Sequence, residues 1–216
     1  MTGTRVRAER REVAINRQRI LDAAERVFAD EGFEAPLQRV ADEAGVGIAT
    51  LFRRFPTRED LYRALYDAGV ARIDAILERA IAENADGWGR IEMFLREGMK
   101  LVFDVPVLPG AMRRVATHDP DYRPAERWAE PIGSSVHLAQ REGTLRADVT
   151  GYDIVTFVFS FNGFAYQPEP MRSEFGERVL TIVLDGLRVG STTRLRQLTP
   201  FAPEEFHLGS HGAHAS

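Results

Sequence analysis

The side chains best suited to binding chemistry lie between positions 37 and 55, and that chemistry is contact with a polyanion. The stretch ends in Arg53 and Arg54, whose guanidinium groups suit phosphate oxygens, with Thr50 close by on the same segment. Apolar residues repeat at helical spacing on both sides of Gly45, which can take the left-handed backbone that ends a helix. Two short helices joined steeply by such a turn place a recognition helix in the major groove of DNA.

Two short helices alone would also fit a corner in some other helical domain, so the flanking segments are needed to support a helix-turn-helix. Upstream, apolar residues follow a helical stripe that stops at Gly32. Downstream, Pro56 ends the second short helix, and Thr57 with Asp60 has the spacing of a capping box for a long fourth helix. The predicted helices lie at about 15–31, 37–44, 48–55 and 58–84.

The run from about Arg17 to Asp67 resembles the TetR family of transcriptional regulators. The matching motifs are ILDAAERVFADEGF and then RVADEAGVGIATLFRRFPTREDL, in that order and spacing near the N-terminus. The motifs cover about a quarter of the chain, and the likeness extends further only through length and helical character. The resemblance implies a homodimer that binds a roughly palindromic double-stranded DNA operator.

Several positions depart from the family pattern. The family commonly has Ser or Thr at Ala35 and Gly47, where a hydroxyl would cap a helix, although Pro36 suits a first helical position. The family often has Tyr and His where this chain has Phe52 and Arg54, so we expect phosphate contacts to persist and base preferences to differ. The candidate DNA contacts are Gln38, Arg39, Gly47, Ile48, Thr50, Phe52, Arg53, Arg54 and Arg58.

Bulk composition fits a small DNA-binding unit followed by one larger domain, since the chain has 216 residues with 44% hydrophobic and 28% charged. The absence of cysteine excludes disulfides and cysteine-based metal sites or nucleophiles. No apolar run is long enough to span a bilayer, and the charged N-terminus is unlike a secretory signal. We therefore expect a cytoplasmic protein without a membrane partner.

Charge is distributed unevenly along the chain. The net charge is −4, yet positions 1–58 contain eleven arginines and nine acidic residues, a balance of +2 that leaves −6 for the rest. Six of these arginines precede Ile20. A basic leader of this kind either lies along phosphates and the minor groove or is simply solvated.

The remainder of the chain predicts a second, wholly helical domain. Its helices are expected at about 91–103, 111–117, 124–141, 151–164 and 175–195, with a second capping-box spacing at Thr150 and Asp153. We therefore predict an all-α fold. Its parts are a flexible basic arm at 1–14, a three-helix DNA-binding domain with a helix-turn-helix at 15–60, a helical ligand-binding and dimerisation domain at 61–198, and a flexible tail at 199–216.

The last two helices are apolar on nearly every side, which is more surface than one small domain easily covers. Either both helices are central in a monomer or a second copy covers them. The resemblance implies the second arrangement, in which two copies pair these helices into a four-helix bundle. The candidate interface residues are Phe157, Phe161, Ile182, Val183 and Leu187.

We also expect a small-molecule cavity in the second domain, because apolar walls with few polar groups suit such sites. We place it between the helix that contains Met99 and the helix that contains Asn162, a buried amide that needs a partner from backbone, ligand or second subunit. Trp128 and His137 are expected on opposite sides of one helix, so they should not both line it. The candidate ligand contacts are Met99, Phe103, His118, Trp128, Phe161, Asn162 and Tyr166.

No catalytic motif is present in the sequence, which has neither a phosphate-binding glycine loop nor a nucleophile elbow. We expect no enzyme activity, no cofactor and no metal. The predicted function is a repressor released from its operator by a small, mostly apolar effector. The alternatives are a helical small-molecule-binding protein or enzyme that does not use its helix-turn-helix, and a regulator controlled by a protein partner.

Overall fold

The computed structural model describes residues 2–190 and 193–196. The helices are α1 (Thr2–Glu31), α2 (Leu37–Ala44), α3 (Ile48–Arg54), α4 (Arg58–Glu83), α5 (Gly87–Asp104), α6 (Leu108–His118), α7 (Ala129–Arg141), α8 (Gly151–Ser160) and α9 (Met171–Leu187). A 3₁₀ turn, Pro124–Trp128, precedes α7, and another, Phe161–Gly163, follows α8. The described residues form no strand, which confirms the all-α prediction. In this part of the chain no helix combines the length and apolar character needed to cross a membrane.

The turn between α2 and α3 follows from its glycine. Gly45 takes the left-handed backbone, with φ of 63°. The N–H groups of Gly45 and Val46 donate to the carbonyls of Asp42 and Ala41, both at 3.0 Å, which is the Schellman pattern. Val46 packs against the core and fixes the angle between the two short helices. The turn predicted at Gly45 is confirmed.

Helix α1 extends further than the sequence predicts. It begins at Thr2, whereas a helix from about position 15 and a flexible arm before it were expected. Positions 5–14 contain no proline or glycine and are rich in Arg, Glu and Ala, which are good helix formers. A polar segment of this kind propagates a helix whose nucleus is packed further along the chain. The predicted tail at 199–216 lies outside the described residues.

Helix α4 belongs to both halves of the molecule. It opens on the predicted capping box, in which the Thr57 hydroxyl accepts from the Asp60 N–H at 3.1 Å and the Asp60 carboxylate accepts from the Thr57 N–H at 3.0 Å. Leu61 and Leu65 near its start are buried, and so are Ile73 and later residues. The helix packs against α1 at one end and against α5 and α6 along its length.

Helix α5 is central in the second domain and contacts α4, α7, α8 and α9. The second predicted capping box is also present, since Thr150 and Asp153 bond each other at the start of α8. Arg146 ties the loop before α8 to the end of α9, because it pairs with Asp148 at 2.6 Å and donates to the Gly186 carbonyl at 3.3 Å.

Removing the first capping box should lower stability without changing the fold. We expect Thr57→Ala to reduce the free energy of unfolding in urea by about 1 kcal/mol, because the N–H of Asp60 loses its acceptor. Thr57→Ser keeps the hydroxyl and should unfold at nearly the parent urea concentration. Equal midpoints for the alanine and serine variants would contradict this role.

Candidate nucleic-acid interface and internal cavity

Helix α3 has one exposed face and one buried face. Leu51 and Phe55 are buried beneath it. On the outside, Arg53 donates to the Thr50 hydroxyl at 3.3 Å, and the Phe52 ring is 45% exposed. In the described residues no carboxylate pairs with Arg53. The surface therefore offers a cation, a hydroxyl and an aromatic ring to an approaching polyanion.

The two remaining arginines near α3 are held more tightly. Arg54 is half-buried, and its Nε is buried without a hydrogen-bond partner among the residues that the structure describes. Arg58 donates from Nη1 to the carbonyls of Phe33 at 2.6 Å and Ala35 at 2.9 Å. Arg58 therefore braces the loop between α1 and α2, so part of its hydrogen-bonding capacity is already used.

The polar residues of α2 are paired in the free protein. Gln38 donates to Asp42 at 2.7 Å, and Arg39 pairs with Glu31 of α1 at 2.8 Å. Such exposed pairs contribute only about 0–1 kcal/mol each, so a phosphate can compete for the arginine. Pro36 precedes α2 as its N-cap residue instead of occupying the first helical position, which corrects the sequence prediction.

The start of α3 lacks a side-chain cap, as expected for Gly47, whose backbone is extended with φ of −69° and ψ of 146°. Ile48 follows it, half-buried against the core. Two arginines that sequence reasoning placed in the basic leader also reach this region. The Arg17 guanidinium lies 5.6 Å from the Phe55 ring centroid, and that of Arg19 lies over Gly45. The unbroken helix α1 positions both, which charge counting alone does not reveal.

A cavity of about 540 Å³ lies in the second domain, bounded by α4, α6, the 3₁₀ turn before α7, α7 and the start of α8. Its apolar and aromatic walls include Tyr66, Met112, Trp128, Ile132, Val136, Val149 and Val155. A cavity of this size and composition suits a small, mostly apolar molecule.

The 540 Å³ cavity does not lie between the two helices where the sequence predicts a ligand site. Met99, Phe103 and Phe161 are buried, and the rings of Phe103 and Phe161 meet edge to face with centroids 6.5 Å apart. Gly176 of α9 allows this close approach, because a Cβ there would come within 2.6 Å of the Phe103 ring. The space between these helices is therefore packed core.

The other candidate ligand contacts are separated from one another. Tyr166 is exposed and donates to the Pro106 carbonyl at 3.1 Å. His118 lines a different, polar depression between α4 and α6. Asn162 is half-buried, and its Oδ1 is buried without a hydrogen-bond partner in the described part of the chain. Of the seven candidates, only Trp128 lines the 540 Å³ cavity.

His137 also lines the cavity, contrary to the sequence prediction that it and Trp128 should not share one. The prediction placed both residues on a single α-helix. Trp128 instead closes the 3₁₀ turn, and α7 begins at Ala129, so one helical wheel does not describe both. The Trp128 indole N–H donates to Asp74 of α4 at 2.7 Å, which fixes the ring in the wall.

The charged groups around the cavity are paired. Tyr122 donates to Asp67, and Arg123 lies 3.6 Å from Glu126. Burial raises the pKa of Tyr66 to about 12, so its hydroxyl stays protonated at neutral pH. A neutral molecule therefore enters this cavity without leaving a charge unpaired.

The predicted interface residues divide into two groups. Ile182 is 63% exposed, and Phe157 and Val183 are half-buried. Phe161 is fully buried and Leu187 is only 3% exposed within one protomer, so neither can be central in an interface, which corrects the prediction. Periodicity alone could not tell contact within the protomer from contact with a second copy. Exposed apolar residues that the prediction missed are Met171, Phe175 and Val189.

Comparison with known proteins defines the class of this chain. Residues 20–65 match the family model described as bacterial regulatory proteins, tetR family, and residues 110–189 match that of the transcriptional regulator SbtR-like C-terminal domain. The crystal structure of the TetR transcriptional regulator SCO0520 from Streptomyces coelicolor is similar, with a TM-score of 0.60 and 32% identity over 81% of this chain and 99% of that one. The chain belongs to the TetR family of transcriptional regulators, as its motifs predict.

Two further relatives are informative. The repressor KstR of Mycobacterium tuberculosis is 33% identical over 99 residues, which is 45% of each chain. The match thus spans about half the length of that relative. The regulator LfrR of Mycobacterium smegmatis, solved in complex with proflavine, has a TM-score of 0.58 and 26% identity, and the match covers 81% of this chain and 97% of that one.

The cavity can be tested through its tryptophan. The chain has two tryptophans, and only Trp128 is among the cavity-lining residues, while Trp88 is buried against Arg188. We expect Nile red, a neutral apolar dye, to change the intrinsic fluorescence of Trp88→Phe, because Trp128 is then the only tryptophan. Trp128→Phe serves as the control and should show no such change. A fluorescence change in Trp128→Phe, where Trp88 is the remaining tryptophan, would show that the dye binds elsewhere.

Proposed function

We propose that this protein is a cytoplasmic repressor that binds a roughly palindromic operator as a homodimer and releases it when a small, mostly apolar molecule fills the cavity. One observation carries the proposal: α4, which packs against α1 in the DNA-binding domain, also forms a wall of the 540 Å³ cavity through Tyr66. KstR is named a repressor and LfrR was solved with a small molecule bound, which supports both halves of the proposal.

On the DNA side, α3 enters the major groove with its exposed surface toward the bases. Arg53 and Thr50 contact phosphates or base edges, and the exposed Phe52 ring suits the methyl group of thymine. Arg39 exchanges its pairing with Glu31 for a phosphate. Gln38, Gly47, Ile48, Arg54 and Arg58 remain proposed contacts at the margins of this surface.

Assembly follows from the apolar residues left exposed on α8 and α9. Ile182, together with Phe157 and Val183, forms the centre of a two-fold interface, and Phe175 extends it. The buried Oδ1 of Asn162 lies in the 3₁₀ turn that follows α8 and gains a hydrogen-bond donor from the second copy. Since α3 has only seven residues and reads few base pairs, a second copy supplies the remaining contacts.

Release works by a shift in population. The effector binds more tightly to a conformation of the dimer whose two recognition helices no longer match the spacing of the groove. Helix α4 transmits this change, because Tyr66 lines the cavity while Tyr62, one turn earlier, packs edge-on against Phe28 of α1. The division at 15–60 and 61–198 is thus crossed by a single helix.

Arg53 should contribute one phosphate contact. We expect Arg53→Ala to weaken binding to DNA flanking the protein's own gene and to reduce the slope of log affinity against log salt by about one, because one fewer counterion is released. Mobility shifts at several salt concentrations measure this. Arg141→Ala, on α7, is the matched control. Unchanged affinity and slope in Arg53→Ala would show that the recognition surface lies elsewhere.

Assembly makes a separate prediction. Ile182→Glu should fold normally but sediment as a monomer at micromolar concentration, because the interface would bury an unpaired carboxylate at a cost of about 3–5 kcal/mol. Leu187→Glu places its charge inside the protomer and should instead unfold it. Ser134→Glu, exposed on α7, should sediment like the parent. A monomeric parent protein would overturn the dimer.

A further inference from the structure

We propose that Phe33, seated in a socket at Gly110, is the positioning residue through which occupancy of the cavity sets the orientation of the helix-turn-helix. This inference rests on the proposed function and assigns its coupling to one side chain. Phe33 lies in the loop between α1 and α2 and belongs to neither the recognition surface nor the cavity wall.

The socket is shaped for an aromatic ring. A Cβ at Gly110 of α6 would come within 2.4 Å of the Phe33 ring, so only a residue without a side chain allows this contact. On another side the Arg114 guanidinium lies 4.0 Å from the ring centroid. Phe28 stacks on the ring at 5.4 Å and Tyr62 meets it edge-on at 5.4 Å. The ring thus joins α1, α4 and α6.

The backbone of Phe33 is held as firmly as its ring. Its carbonyl accepts from the Tyr62 hydroxyl at 2.7 Å and from Arg58 at 2.6 Å. Both donors belong to α4. The Phe33 carbonyl therefore moves with α4, while the ring must follow α6, and the loop leads directly into α2. A relative displacement of α4 and α6 has to be absorbed at this residue.

Helix α6 lies between the socket and the cavity. Gly110 and Arg114 are one turn apart and contact Phe33. Met112 and Ala116 are also one turn apart and line the cavity. Since two residues along an α-helix differ by about 200° in direction, these pairs lie on opposite sides of α6. A molecule that pushes on Met112 therefore moves the socket on the far side.

Two substitutions test this coupling without knowledge of the effector. Gly133 of α7 lines the cavity. Apart from its chain neighbours and the backbone of its own helix, no described atom lies within 4 Å of the position of its missing Cβ, so Gly133→Leu fills part of the cavity. Gly110→Ala disturbs the socket from within. We expect each to lower affinity for a duplex that the parent protein binds by about 5–150-fold, the usual range of coupling between sites. Ser134→Leu and Gly186→Ala are the matched controls, and each should bind like the parent.

The decisive comparison repeats both substitutions in a Phe33→Ala background. If Phe33 carries the coupling, Gly133→Leu and Gly110→Ala should each change operator affinity less than about twofold there, since neither displacement is passed on. A purely structural role for Phe33 would leave the effect of Gly133→Leu at full size, and that result would overturn the inference. Relief of Gly110→Ala alone does not discriminate, because the ring that its Cβ meets is absent in this background. If Phe33→Ala lowers the unfolding temperature too far for binding measurements, the comparison is made in Phe33→Leu instead. Leucine keeps apolar volume at this position without reaching Arg114.

The outcome separates the two proposals. A parent protein that binds none of the DNA flanking its gene contradicts the proposed function itself. A parent that binds, with Gly110→Ala and Gly133→Leu binding equally well, leaves the DNA-binding function standing and refutes the role of Phe33. Thermal unfolding of each variant confirms that the fold persists, and Nile red binding confirms that the cavity persists in the variants other than Gly133→Leu.

Discussion

The helix-turn-helix depends on being braced, and the rest of the structure follows from that requirement. Helices α2 and α3 have eight and seven residues, too few to be stable alone in water. Their buried residues, among them Val40 and Leu51, pack in one core with residues of α1 and α4. Because α4 runs for 26 residues from the DNA-binding domain into the second domain, the surface that positions the recognition helix is continuous with the surface that lines the cavity. No hinge of unstructured chain separates the two.

The same arrangement explains how a small molecule could act on a distant surface. Packed helices do not deform gradually, so a displaced wall moves as a rigid body. Tyr66 of α4 and Met112 of α6 line the cavity. Other residues of the same two helices, Tyr62 and Gly110, contact Phe33 in the loop before α2. The paired charges around the cavity favour molecules that bring little charge of their own.

Local rules made the N-terminal half predictable from sequence. The left-handed turn at Gly45 and the capping box opened by Thr57 depend on residues within a few positions of each other. The beginning of α1 was missed, because a polar helix can extend from a packed one without an apolar stripe of its own. The family motifs lie in the same region, so resemblance and residue patterns supported one another there.

The second domain was predictable as helices but not as a packing arrangement. Apolar periodicity shows that Phe161 and Leu187 are buried, but not that their own protomer buries them. The location of the cavity depends on close approaches such as that of Phe103 to Gly176, and on the 3₁₀ turn that directs Trp128 inward. Both depend on contacts between residues far apart in sequence, and no short sequence pattern predicts such contacts.

The most direct test of coupling between the cavity and the DNA-binding surface is whether dye and operator weaken each other's binding by the same factor. Nile red is titrated into the free protein and into the protein saturated with operator duplex, and operator affinity is then measured with and without saturating dye. If the cavity controls DNA binding, the dye binds the operator complex more weakly by about 5–150-fold, and it weakens operator binding by the same factor. Equal dye affinity for the free and DNA-bound protein, with the dye seated beside Trp128, would contradict the coupling.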